Sequence, residues 1–401
     1  MKIVHISQHY FDGLGYDENL LPKYHKKIGC DVVVVTSFIG ANLNNKIDYI
    51  NIEPIEYEDN GVRIIRLPIL GHFKERFVIF RGLEDILNIE SPDYIYHHGD
   101  TQPSIYSCVN YKKKHPSTFL VLDCHEDFMN SARKRFWKLF YYNLLWSKAL
   151  NRFMNYIDLV FGVTPARCFF AKEELKIPMS KIRLLPLGAD EDGARDILNK
   201  KNDDNKNNNK IIRLITGGNL NIGKKVINIL KAIEGLDVKL ILFGNISNDL
   251  LNIINLYKKR GALIEIHGWQ DRKGTLKLLH NADIAIWYRH TTLIEDAIAV
   301  FTPLLLRYYG STCHLIRGNG YYLYSNNPLE IRQALETIIE KKELLQEMRN
   351  NSKEMLSRIS YRKIAKESID YYYDTSPKET HEFLMSSYLC NPNNEDFKFY
   401  K

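Results

Sequence analysis

Short apolar runs alternate with helical patterns along this chain, and the alternation happens twice. IVHIS (3–7), DVVVVTS (31–37), VRIIRLP (62–68), DYIYHHG (93–99), TFLVLD (118–123) and DLVFGVT (158–164) form the first set. They are apolar along their length, as strands buried on both faces of a parallel sheet are. Helical patterns lie between them, such as Glu18 to Ile28 and Ser104 to Lys114. The alternation restarts at IIRLITGG (211–218) and runs on through VKLILFG (238–244), LIEIHGW (263–269), DIAIWY (283–288) and PLLLR (303–307). That pattern predicts an α/β chain of two doubly wound domains. Ligands of such sheets bind beyond the carboxyl ends of the strands. Clefts between domains are favoured pockets, so the site is expected where the two domains face each other.

The 401 residues are enough for two domains, and with 45% apolar residues both can bury a core. RLLPLGAD (183–190) reads as a strand ending in a Pro/Gly turn. ILNKKNDDNKNNNK (197–210) is polar and low in complexity, so it cannot pack. The expected division is an N-terminal domain 1–190, an inter-domain loop 191–210 and a C-terminal domain 211–360. Residues 328–358 read as two helices, and Tyr361 to Tyr373 as a last helix. This helix and a polar tail (361–401) are expected to return to the N-terminal domain.

A net charge of +7 permits contact with anionic lipid or a phosphorylated substrate but is too weak to argue for nucleic acid. Six cysteines are scattered without CxxC spacing, which fits reduced thiols rather than a metal site or a disulfide frame. Met1 runs straight into KIVHIS, so no signal peptide is expected, and no apolar run approaches transmembrane length. These features together predict a cytoplasmic protein.

Three stretches look chemical. QHYFDGLGYDEN follows the first strand, and Gly13 and Gly15 precede a helix there. Glycines in that place let the backbone approach a phosphate or a sugar. The spacing is not GxGxxG, which weakens a nicotinamide reading. TGGNLNIGKK repeats the arrangement in the second half, with Gly217 and Gly218 ending a strand and Lys224 and Lys225 close behind. A lysine ammonium suits a diphosphate. DIAIWYRHTTLIEDAIA (283–299) reads as a buried strand, a tight loop and a short helix with Thr292 at its N-cap. Glu295 falls in the first turn, where it could accept two hydrogen bonds from ribose hydroxyls. The bland alternatives are a flexible loop, two solvated lysines and a solvated first-turn acid.

Taken together, these pieces resemble the GT-B glycosyltransferases of family 4, retaining enzymes that use a nucleotide-sugar donor. Gly13 to Tyr16 match the family's Gly-rich loop. Gly218 and Lys224 match a glycine followed six positions later by lysine. IEDAIAVFTPLL matches the family's LEAxAxGxPV-like pattern, with Glu295 in place of its late acidic residue. WYRHTTLIEDA, YYGSTCHLIRGNGYYL, VLDCHEDFMNSARK and LLPLGAD are similar to a subgroup from bacterial surface-polysaccharide clusters. The resemblance implies two Rossmann-like domains facing each other across a cleft, the first binding acceptor and the second a UDP- or GDP-linked sugar. It implies that Lys224 and helix N–H groups near Thr291 to Leu293 meet the leaving diphosphate, and that Glu295 holds the ribose. It places Trp269, after Gly268, near the base, and His125 of VLDCHED beside the donor sugar. No metal or further cofactor is implied for the chemistry, and the DED at Asp190 to Asp192 carries little weight. Two positions depart from the family pattern. Its first glutamate is Trp287 here, a place that His290 could fill, and a usual basic residue is Asn219, which leaves the diphosphate to Lys224 unless Lys225 or Arg289 helps.

The stretch 133–157 is basic and aromatic together. Phe136, Phe140 and Leu144, and Trp137, Tyr141 and Leu145, recur at helical spacing among Arg133, Lys134, Arg135, Lys138, Lys148 and Arg152. Such a helix either lies in a membrane interface or forms a core helix. The expected function is transfer of a hexose to a cell-surface glycan or lipid-linked oligosaccharide by a protein peripheral on the inner face of the membrane. The alternatives are a catalytically silent GT-B partner that binds glycan or a sister transferase, and an epimerase acting on a nucleotide-sugar.

Overall fold

The computed structural model describes residues 1–39, 50–73, 77–128, 138–199, 211–325 and 327–377. The chain divides into two compact units, one of Met1–Gly188 with Tyr361–Lys401, the other of Ala189–Ser360.

The first unit contains β1 (Lys2–Ser7), β2 (Asp31–Ser37), β3 (Ile55–Asp59), β4 (Val62–Leu67), β5 (Ile69–Phe73), β6 (Phe77–Phe80), β7 (Tyr94–His98), β8 (Phe119–Cys124), β9 (Leu159–Gly162) and β10 (Ile182–Leu184). Eight of these strands form one sheet in the order β10-β9-β8-β7-β1-β2-β4-β3. Only β3, at the edge, runs antiparallel to its neighbour. Asn60 and Gly61 join β3 to β4, both at positive φ (50° and 77°), as a two-residue hairpin turn requires. The separate ribbon β5-β6 is antiparallel. Strand order reverses between β1 and β7, the kind of place where ligands of doubly wound sheets bind. The helix Tyr361–Tyr373 packs on the helix Asp17–Lys27, with the rings of Tyr24 and Tyr361 stacked 5.7 Å apart. A Cβ on Gly188 would lie 2.4 Å from the Tyr361 ring, so that approach needs a glycine.

The second unit contains β11 (Ile212–Leu220), β12 (Val238–Ile246), β13 (Leu263–His267), β14 (Ile284–Trp287), β15 (Leu304–Arg307) and β16 (Gly320–Leu323). They form a parallel sheet in the order β13-β12-β11-β14-β15-β16, which reverses between β11 and β14. β11 pairs with β12 from Ile212 to Leu220 but with β14 only at Leu214 and Ile215. Beyond those residues β11 and β14 separate, and the sheet opens at its carboxyl edge.

Residues 191–198 correct the expected inter-domain loop. Glu191–Leu198 is a helix capped by Asp190, whose carboxylate accepts from the Gly193 N–H at 3.0 Å. Ala194 and Ile197 bury against the second unit, and it is the cap together with this i, i+3 spacing that selects a helix. The rest of the polar tract, 200–210, lies outside the described residues, as do residues 133–137 of the basic aromatic stretch. Its remainder is a π-helix, Lys138–Trp146, followed by the helix Ser147–Phe153. Among the described residues, no helix is long and apolar enough to cross a membrane.

Candidate functional site

In the second unit, the two loops singled out by sequence flank the opening between β11 and β14. Thr216, Gly217, Gly218 and Asn219 line one side of a recess; Trp287, Tyr288, Arg289 and Thr291 line the other. Gly217 lies opposite Phe243 on β12, and a Cβ there would sit 2.2 Å from that ring. Gly218 has φ +105°, a backbone open mainly to glycine. The chain then makes the 3₁₀ turn Ile222–Lys224, passes Lys225 in the left-handed region, and enters the helix Val226–Ile233. The Lys224 side chain lies outside the described residues. Trp287 is buried and donates its indole N–H to the Gly217 carbonyl at 3.3 Å.

Glu295 is not a solvated acid. Its side chain and that of His290 are both 2% exposed, and His290 Nε2 lies 2.8 Å from Glu295 Oε1. The other carboxylate oxygen, Oε2, is buried without a hydrogen-bond partner. His290 thus occupies one of the two acceptor positions that the sequence offered to a ribose. His290 itself is fixed by its backbone N–H, which donates to the Tyr309 hydroxyl at 2.7 Å. Thr292 corrects the expected cap. It stands before the helix Leu293–Ala299, but its backbone is already helical (φ −59°, ψ −16°) and its side chain makes no cap bond. Gly268 and Trp269 follow β13 and do not line the recess; the Gly268 carbonyl accepts from Gly244, and Trp269 is 62% exposed. Asp190, of the DED run, is a helix cap that also pairs with Arg272 at 3.2 Å.

In the first unit, the loop after β1 is pinned by two acids and a buried arginine. Tyr10 and the Gly13 N–H donate to Asp59 at 2.8 and 3.3 Å. Arg66, 1% exposed, donates to the carbonyls of Tyr10 and Ser37 and pairs with Asp12 at 3.1 Å. Gly13 has φ +72° with open space around it, Gly15 is half-buried, and Tyr16 is 42% exposed. Arg66 was not recognised from sequence. Its signal was an arginine inside the apolar run VRIIRLP, where a buried guanidinium must find acceptors.

His125 stands just past β8, at the carboxyl edge where the sheet of the first unit reverses. Its Nε2 lies 3.1 Å from Asp123 Oδ2, the same oxygen that faces His98 Nδ1 at 3.1 Å. Asp123 Oδ1 accepts from the Gly99 N–H at 2.5 Å, and Asp17 Oδ2 lies 3.6 Å from His98 Nδ1. Burial alone would raise the Asp123 carboxyl, but His125 and His98 hold it well below the usual carboxylate range. Burial would lower His125 and His98; Asp123 outweighs it, bringing His125 up to about 9 and His98 above its ordinary value. Asp17, His98, Asp123 and His125 bring ligand-type atoms within 4.8 Å of one another, as do Asp100, Cys124 and Glu126. In the first set His98 Nδ1 and His125 Nε2 each face the Asp123 carboxylate at ion-pair distance.

No protein-family description matches the chain, and no curated protein does. Solved structures do. HepE from Anabaena, in complex with UDP and glucose, is 15% identical with a TM-score of 0.66 over 93% of this chain and 99% of that one. Sucrose-phosphate synthase from Thermosynechococcus elongatus is 15% identical with a TM-score of 0.64 over 93% and 98%. A UDP-N-acetylglucosamine 2-epimerase candidate from Listeria monocytogenes is 14% identical with a TM-score of 0.58 over 94% and 97%. At these identities the likeness concerns the fold: the chain is built as the GT-B glycosyltransferases are, from two Rossmann-like domains.

Proposed function

We propose that the chain is a retaining glycosyltransferase that moves a hexose from a UDP- or GDP-linked donor to a lipid-linked cell-surface glycan. One observation carries the donor half of this reading. The sheet of the second unit opens where its strand order reverses, and the glycine loop and the Trp287–Thr291 loop line that opening. Ligands of doubly wound sheets bind at that place. Backbone groups of Gly217 to Asn219 and the Arg289 guanidinium suit a diphosphate, and Lys224 would meet the charge that develops as it leaves. The unpartnered Glu295 Oε2 supports a role as acceptor for a ribose hydroxyl. HepE has been crystallised with UDP-glucose, which supports the donor class. Retention, the hexose and a glycan acceptor bound by the first unit rest on the family resemblance.

Trp287 favours a second reading. An indole tied to Gly217 fills space at the position where the family carries a glutamate, so the chain could bind a nucleotide-sugar without turning it over. The test is thermal stabilisation by a panel of nucleotide-sugars, because a ligand that binds only the folded state raises its melting temperature. Stabilisation with donor hydrolysis supports the transferase. Stabilisation with no turnover supports the silent partner, and no response to any donor overturns the transferase. A product released as an epimer without acceptor would make the chain an epimerase.

Membrane contact is part of the proposal. In the π-helix Lys138–Trp146, Tyr142 and Trp146 are buried while Leu139, Phe140, Leu144 and Leu145 are 46–53% exposed. Leu139 and Leu144, like Phe140 and Leu145, are five residues apart, one turn of a helix bonded i→i+5. Lys138, counted among the lipid-facing charges on sequence grounds, instead pairs with Glu174 at 2.6 Å; Lys148 and Arg152 are exposed. Replacing Phe140 and Leu144 with Ser should reduce co-sedimentation with anionic vesicles without unfolding the protein. Equal sedimentation would remove the membrane from the proposal.

A further inference from the structure

Behind His98 runs a file of buried imidazoles. His98 Nε2 lies 3.0 Å from His5 Nδ1, and His5 Nε2 lies 2.9 Å from His25 Nδ1. His25 Nε2 lies 2.6 Å from the Ser368 hydroxyl, which donates to the Ala365 carbonyl at 2.8 Å. The rings belong to β1, β7 and the helix Asp17–Lys27, and the serine to the helix Tyr361–Tyr373. His5, His25 and Ser368 are fully buried, and His98 is 5% exposed.

The direction of these bonds follows from the far end. The Ser368 hydroxyl has one proton and gives it to the Ala365 carbonyl, so toward His25 Nε2 its oxygen can only accept. His25 Nε2 therefore carries a proton. Burial lowers His25 to about 3, so the ring is neutral and its Nδ1 is bare. A bare Nδ1 requires the proton between the rings to sit on His5 Nε2. His5 is held well below its ordinary value by burial and by the neighbouring His25 and His98, so its Nδ1 is bare in turn. His98 Nε2 must then be the donor to His5. The remaining nitrogen, His98 Nδ1, faces Asp123 and Asp17, and a lone pair turned toward two carboxylates is repelled unless a proton lies between.

We propose that this one-directional file, anchored on the backbone of the C-terminal helix, makes His98 an imidazolium, and that His5, His25 and Ser368 are positioning residues that hold Asp123 against His125. The groups facing His98 are Asp17 and Glu18 from the helix Asp17–Lys27, Asp123 and His125 from the end of β8, and His5 from β1. With His98 charged, Asp123 stays ionised and bridges two imidazoles through a single oxygen. His125 is then held with its ring 35% exposed at the carboxyl edge of the sheet. The importance of that geometry for transfer rests on the function proposed above; the protonation pattern does not.

Nitrogen NMR of the full chain labelled at histidine reads each ring nitrogen directly, so this inference and the proposed function fail separately. Near neutral pH, His98 should show two protonated nitrogens, and His5 and His25 should show protonated Nε2 and bare Nδ1. In His25→Phe the acceptor for His5 is lost. His5 is then free to turn its proton toward His98, which should become neutral with a bare Nε2. His25→Gln offers an amide oxygen to His5 and should keep the imidazolium. A neutral His98 in the native chain overturns the proposal, as does a His98 spectrum that is the same in all three proteins. So does replacement of the Nδ1 proton by added zinc ions, which would make the cluster a metal site.

Discussion

The carboxyl edges of the two sheets are built in opposite ways. At the reversal between β1 and β7, the first unit gathers carboxylates and imidazoles at ion-pair distance, Asp123 between His98 and His125 being the centre. At the reversal between β11 and β14, the second unit supplies glycine backbone, an indole and a guanidinium around open space. The same topological position therefore yields a charged cluster in one unit and a glycine-lined recess in the other. Side chains held against one another keep their positions, whereas backbone left accessible by glycines suits the close approach of a ligand. The second unit is thus the one expected to bind the donor, and the cluster of the first the one expected to position His125.

The largest expected effect tests the binding side. Lys224→Ala should lower turnover by about 10²-fold, the scale of losing one group that meets developing charge, with donor affinity little changed. Steady-state kinetics with calorimetric donor binding would measure both. If only the Michaelis constant moved, Lys224 would be a uniform binder, and the second unit would contribute no selective stabilisation of the transition state.

Glu295 tests whether the cradle has a free acceptor. Glu295→Gln keeps an oxygen for His290 and should preserve the melting temperature. It should weaken nucleotide binding about tenfold, since a hydrogen bond to a charged group contributes about 1.5–3 kcal/mol. Glu295→Ala should also destabilise the fold by about 1–3 kcal/mol, because it leaves the buried His290 unpaired. Unchanged nucleotide affinity in the Gln variant would remove Glu295 from the site.

The glycines separate the two edges by a smaller margin. At Gly217 an added Cβ meets the Phe243 ring at 2.2 Å, so Gly217→Ala should cost about 1–3 kcal/mol of overpacking. At Gly13 nothing lies within 4 Å, and Gly13→Ala should cost only about 1–2 kcal/mol for its φ of +72°. Denaturant melts of the pair would reveal a reversed order, which would mean that the cradle can give way.

The strands were legible because a parallel sheet buried on both faces leaves continuous apolar runs. DVVVVTS spans the observed strand Asp31–Ser37 without a residue of error. The hairpin at Asn60–Gly61 was not read from the sequence, because the residues before it (IEYED) are half-exposed and polar at an edge and do not form an apolar run. The loops of the cradle were legible from glycines after strands. The pairing of His290 with Glu295 was not, because it depends on how the loop folds back on the helix. Least legible was the file of imidazoles. His25 and Ser368 lie 343 positions apart and meet only because strand order brings β1 beside β7 and the last helix returns to the first. Each histidine read alone is an ordinary buried residue.

The smallest expected effect sharpens the comparison through pH. In the second unit's recess burial pushes the Tyr288 hydroxyl further up, away from the neutral range. In the first unit His125 is brought up to about 9 by Asp123, against about 6.5 for an unfolded histidine. A group whose folded value lies above its unfolded value stabilises fully below the unfolded value, and that contribution fades as pH rises through the folded one. The melting temperature should therefore decline between about pH 6.5 and 9. His5 and His25 are shifted the other way by burial, so their cost falls below that window and does not obscure it. Asp123, held low by its imidazole neighbours, loses its contribution only in acid. His125→Gln keeps a polar side chain beside Asp123 but cannot titrate, so it should lessen the decline, with His98, also raised by Asp123, supplying the remainder, and leave the low-pH limb in place. A variant that declines as steeply as the native chain would assign the alkaline titration elsewhere and would leave the two edges electrostatically alike.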